Sequence, residues 1–123
     1  MSLFDVTSSA LEVAIKGTES RQSVLANNLA NANTPSFKRS DVSFQGALAS
    51  ALSSARSGDT ASVDATPFTT ATDSSTSMRA DGNNVDVDVE SANLAKNQLL
   101  FDSVMAIDTK RLHTMDQAIT GAH

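Results

Sequence analysis

Few residues in this 123-residue chain could do chemistry, and they fall into three groups. The first is the acidic run Asp81, Asp86, Asp88 and Glu90, interleaved with Asn83 and Asn84, which invites a calcium reading. An EF-hand loop needs glycine at its sixth position and glutamate at its twelfth, whereas Gly82 directly follows the first aspartate. A turn followed by a helix N-cap is therefore the better account of the run. The second group is His113 with Asp116 three residues on, a pair suited to surface salt bridging and short of the further ligands a metal needs. The serines, though many, lack the Gly-x-Ser-x-Gly setting of a hydrolase, and no glycine-rich loop is built to cradle phosphate. Neither an enzyme, a cofactor nor a metal follows from these residues. The third group is unusual. Asn27, Asn28, Asn31 and Asn33 crowd into seven residues, although asparagine side chains compete with the helix backbone for hydrogen bonds.

Composition narrows the partners. The net charge is −5, with nine Lys and Arg spread along the chain, which disfavours nucleic acid and anionic membrane surfaces. No Cys is present, which removes disulfides and thiolate chemistry. There is no Trp or Tyr and only five Phe, so the available core is aliphatic. No apolar run is long enough to span a membrane. The N-terminus lacks a basic-then-apolar pattern, so a route without a cleaved signal peptide is expected.

The elements that carry these groups can be read from spacing. Ser9 to Glu12 fits a capping box, and Leu11, Ile15, Thr18, Gln22, Leu25 and Leu29 then recur at alternating steps of four and three, a heptad stripe. This predicts a helix from about Ser9 to Ala32, with Gly17 a weak point in it. Pro35 forces Thr34 into extended conformations and stops the helix; Asn33 or Asn31 is expected to supply a left-handed residue at its end. Residues 37–44 read as an extended arm with Val42 and Phe44 on one face. A short helical piece on Phe44, Leu48, Leu52 and Ala55 follows. Ser, Thr and Ala make up most of residues 50–80, a composition that cannot offset its own ordering entropy and is expected to stay irregular.

Val85, Val87 and Val89 alternate with acids as a strand would, but the residues beyond decide for a helix capped by Asp86 or Asp88. Leu94, Gln98, Phe101, Met105, Asp108, Leu112, Met115 and Ile119 again step by four and three, predicting a helix from about Asp88 to Thr120 that Gly121 closes. Leu100, Val104 and Ile107 form a stripe beside this one. Leu11, Ile15, Leu25, Leu29, Leu94, Phe101, Met105, Leu112, Met115 and Ile119 are the expected coiled-coil core. Two such stripes must pack on each other, on copies of themselves, or on relatives. An assembly component or a dimeric coiled-coil adaptor or chaperone both fit.

Residues 26–38, Ala-Asn-Asn-Leu-Ala-Asn-Ala-Asn-Thr-Pro-Ser-Phe-Lys, resemble the N-terminal signature of the bacterial flagellar rod and hook family; the single departure is Ser36, where that family usually has Gly. Residues 81–88 and 95–99 resemble the C-terminal segment of its small proximal rod proteins, with FlgC as the alternative to the nearer of the two. The resemblance implies an all-α fold: two terminal helices paired as an antiparallel coiled-coil hairpin, with an extended arm and a long irregular Ser/Thr-rich middle. It divides the chain into a rod helix and signature (1–36), an arm and loop (37–80), and a turn with the second rod helix (81–123). It also implies a structural role at the base of the flagellar rod, reached by type III export. The partners would be copies of the chain, other rod proteins, the adaptor protein FliE, and the MS ring and export gate. Asn27, Asn28, Leu29, Asn31, Asn33, Thr34, Pro35 and Phe37 would then supply subunit contacts.

Overall fold

In a computed structural model, the described residues are 3–57, 68–75 and 79–121. Among them the chain forms α1 (Leu3–Ala30), β1 (Ser40–Ser43), α2 (Gln45–Ser57), β2 (Thr69–Thr72) and α3 (Val87–Thr120). The fold is thus mostly helical, but it is not all-α. β1 and β2 pair antiparallel, with Ser40 opposite Thr72 and Ser43 opposite Thr69. The arm finds its partner strand in the Ser/Thr-rich middle, of which residues 58–67 and 76–78 lie outside the described residues. Threonines suit a pleated strand, which is why this part of the middle is regular.

α1 begins six residues before the expected cap, so Ser9 sits inside a helix already running. Ser8 there receives a hydrogen bond from Arg111 Nη2 at 3.1 Å, which ties this part of the helix to α3. α3 starts as its acids suggest. Asp86, extended at φ −99°, accepts from the N–H groups of Asp88 and Val89, satisfying donors that a helix start leaves free.

Three polar rungs order the two long helices. Asn28 meets Glu90, Thr18 and Gln22 meet Asn97, and Ser8 meets Arg111. Numbers fall along α1 as they rise along α3, so the helices run antiparallel.

Leu25 is fully buried at this contact, while Leu11, Ile15, Leu29, Leu94 and Phe101 are half-buried. The remaining core expectations are corrected. Met105, Leu112, Met115 and Ile119 are exposed, and Val104 is the buried apolar residue of that half of α3. The face turned to α1 steps through Glu90, Leu94, Asn97, Phe101, Val104, Asp108 and Arg111. It keeps the heptad period but is set one residue back at every second position, because three of its polar side chains have partners on α1 or on β1's approach.

α2 packs on the other side of α1. Val13 forms a core with Ala47 and Ala51, flanked by Leu48 and Phe68. The packed face is therefore Ala47, Leu48 and Ala51; of the expected Phe44–Leu48–Leu52–Ala55 face, Phe44 is buried, Leu52 is 39% exposed, and the side chain of Ala55 lies outside the described residues. Small alanines allow the close approach. Gly17 has a similar use. A Cβ placed on it would meet the Phe44 ring at 2.5 Å, so the weak point in the helix is the seat of an aromatic side chain.

Candidate functional site

The asparagine-rich corner begins where α1 ends. Asn28 is fully buried, and its amide is saturated within the chain. Nδ2 donates to Ser40 O at 2.6 Å and Glu90 Oε2 at 3.1 Å, and Oδ1 accepts from Ser40 N at 2.9 Å. The expectation of a subunit contact at Asn28 is corrected: this side chain ties α1, β1 and α3 together. Asn31 acts locally, donating to Asn27 O at 2.8 Å and to Asn27 Oδ1 at 3.2 Å, and accepting from the Thr34 hydroxyl at 3.1 Å. Asn27, Asn33, Thr34 and Pro35 are exposed, and Leu29 and Phe37 are half-buried.

The left-handed residue of the corner is neither Asn31 nor Asn33 but Ser36, at φ 60°. Its N–H donates to Asp81 O at 2.9 Å. Opposite it, Gly82 has φ +82°, and a Cβ there would lie 3.6 Å from Ser36. Two tight backbone bends are thus packed against one another, and glycine supplies one of them at no steric cost.

Asn83 closes the corner from the other side. Fully buried, it donates through Nδ2 to the carbonyls of Asn31, Ala32 and Thr34 at 2.9, 3.1 and 2.8 Å. Its own Oδ1 accepts from Val85 N at 2.7 Å. Arg79 also donates to Ala32 O. The carbonyls of the turn that follows α1 therefore find donors about 50 residues away in sequence. Neighbouring Asn84 accepts from Arg39 N at 2.7 Å and donates to Asp73 O at 2.8 Å.

A charged network joins this corner to the helices. Arg21 grips Asp41 through two hydrogen bonds, at 2.8 and 3.0 Å. Arg39 donates to Glu90 and lies 3.7 Å from both Asp41 and Asp73. Burial works to raise the Asp41 pKa; it is outweighed by the hydrogen bonds from Arg21 and Val42 N and the charges of Arg21 and Arg39, which leave the carboxyl below its usual range. Glu90 is completely buried, a placement that a carboxylate tolerates only when paired and hydrogen-bonded.

The acidic run has been dispersed by the fold. Asp81 accepts from Asn83 N, Asp86 caps α3, and Glu90 turns inward to Arg39. Among the described residues no group of three or more His, Cys, Asp or Glu is placed to hold a metal ion, and no helix is long and apolar enough to cross a membrane. Reading spacing alone missed Asn83, Glu90 and Asn97 as buried polar residues. The tandem amides after Gly82 were the available signal, since two adjacent turn asparagines exceed what one turn needs.

What the arrangement can do is hold and present. Two shallow grooves run between α1 and α3: one of about 350 Å³ bordered by Gln22, Ala26, Gln98 and Phe101, another of about 470 Å³ bordered by Glu12, Ile15, Asp108 and Leu112. Glu19 lines both, so they share one side of the helix pair. Alongside lies the exposed stripe of Met105, Leu112, Met115 and Ile119.

Residues 6–38 match the family described as flagella basal body rod protein. The chain is 33% identical to the flagellar basal body rod protein FlgB of Bacillus subtilis, over 98% of each chain. It is 35% identical to FlgB of Borrelia hermsii over 66% of this chain and 71% of that one. Identity to FlgB of Cereibacter sphaeroides is 30% over 84% and 85% respectively. The family match begins on α1 and ends at Lys38, so it takes in the α1 side of the asparagine corner, from Asn27 to Phe37. With similarity to FlgB extending over nearly the full length of both chains, this protein belongs to the flagellar basal body rod protein family.

Proposed function

We propose that the chain is a structural subunit of the proximal flagellar rod, assembling helically with copies of itself and other rod proteins into part of the drive shaft for motility. The observation that carries this is the uncovered heptad stripe of α3. Met105, Leu112, Met115 and Ile119 are 39, 53, 37 and 71% exposed, and apolar side chains at that spacing are covered by a neighbouring helix in a coiled coil. In this reading α1 and α3 form the coiled-coil hairpin of each subunit, and the stripe meets the next subunit. Asn27, Asn33, Thr34 and Pro35, exposed at the corner, add polar contacts. The family resemblance supports a place at the rod base beside FliE and the MS ring, after type III export through the export gate with no cleaved signal. It also supports three working parts, at 1–36, 37–80 and 81–123.

The test is co-assembly. Purified chain mixed with other rod proteins should sediment as polymer, and Leu112→Asp should abolish this while leaving the monomer folded. Normal co-assembly of Leu112→Asp, or a wild-type chain that stops at a dimer, would refute the rod reading; the latter outcome would favour an adaptor.

A further inference from the structure

α3 carries two heptad seams that share Leu94, Phe101, Asp108 and Met115. One is completed by Asn97, Val104 and Arg111, the other by Gln98, Met105, Leu112 and Ile119. A turn of α3 by about 50° about its axis exchanges them, since successive residues lie 100° apart. Burial alone favours the second, which offers three large apolar side chains, Met105, Leu112 and Ile119, where the first has only Val104. Yet α1 packs on the first, leaving Val104 8% exposed and Leu112 53% exposed.

What distinguishes the chosen seam is polar. Asn97, in its middle, is 1% exposed and donates to Thr18 O at 2.8 Å and Gln22 Oε1 at 2.9 Å. Its Oδ1 is buried with no hydrogen-bond partner among the described residues. A buried amide satisfied on one side only is a poor contributor to stability, and an apolar residue would pack better there. In coiled coils a single buried polar residue at a seam position specifies register at a cost in stability.

We infer that Asn97 is the mid-seam specificity residue of the α1–α3 contact: between the Glu90 and Arg111 rungs that hold its two ends, it directs α1 to the less apolar seam and so keeps the more apolar seam of α3 uncovered. The consequence for assembly rests on the rod reading; the choice of seam does not. Removing the amide lets α1 take the apolar seam, giving a chain that is better packed and has less surface to offer.

The wild-type chain has no cysteine, so Leu112→Cys gives a single thiol on the second seam. Its maleimide labelling rate is compared with and without Asn97→Leu, in full-length chain at a concentration where sedimentation shows monomer. The double variant should retain its helicity and label at least fivefold more slowly. Unchanged or faster labelling overturns the inference. So does loss of helicity, because a leucine seam is held here to be the more favourable packing. Labelling of the monomer involves no polymer, so failure of the rod reading appears separately, as a parent chain that does not co-assemble.

Discussion

The Phe44 ring occupies the space that a side chain on Gly17 would need, with Cγ 2.5 Å from where a Cβ would stand. Helix propensity alone makes Gly17→Ala stabilising by about 1 kcal/mol. The contact reverses the sign. Phe44 is 9% exposed and has a backbone fixed between β1 and α2, so it cannot withdraw freely, and overpacking of this kind costs about 1–3 kcal/mol. Urea unfolding should show Gly17→Ala to be less stable than wild type.

Ser36 offers the opposite case. At φ 60° it holds a conformation that costs a residue with a Cβ roughly 1–2 kcal/mol, whereas glycine adopts it freely. Part of that gain is offset by the larger chain entropy glycine loses on folding. Ser36→Gly should raise stability by about 0.5–1 kcal/mol in chemical denaturation, and Ser36→Val should lower it.

Asn83 faces three backbone carbonyls with an NH2 group whose two hydrogens are shared among them, while its oxygen accepts from Val85 N. Asn83→Ala leaves buried acceptors without that donor, a loss of about 1–3 kcal/mol. Asn83→Asp should be worse, because it points negative charge at the carbonyl end of a helix. Thermal melts should rank the chains wild type, then Asn83→Ala, then Asn83→Asp.

The Asp41 carboxyl, held below its usual range in the folded chain by Arg21, Val42 N and Arg39 against the opposing effect of burial, makes stability depend on acid. A depressed folded pKa contributes stability above the unfolded value, which is lost as pH falls through the folded one. Stability should therefore decline as pH drops through and below the usual carboxylate range. Asp41→Asn should be less stable at neutral pH and show a shallower acid decline, as read from denaturation midpoints across that range.

The helices were legible in the sequence because their periods are long and regular, and Asp86 and Pro35 mark their limits by local rules. The choice of face on α3 was not. Periodicity ranks residues by apolarity, and it placed Met105 and Leu112 in the core where Asn97 and Arg111 are turned to α1. The reason lies in partners 75 to 103 residues distant, which spacing along one helix cannot reveal. Asn28 illustrates the same limit. Its amide looked surplus because its partners, Ser40 and Glu90, belong to other elements. Ser36 was the one departure from the family signature, and its backbone bend is the one a glycine there would make.

The amide clamp at Asn83 joins residues 49 to 52 positions apart, and this separation has a kinetic consequence. Closing a loop of that length costs about 3–4 kcal/mol of chain entropy beyond a fixed constant, and it precedes any contact between α1 and α3 at the corner. Once it closes, each further rung, from Asn28–Glu90 through Thr18–Asn97 to Ser8–Arg111, lies within a helical turn or a few of the last. The hairpin should then zip from the corner outward, with the Ser8–Arg111 end forming last and opening first.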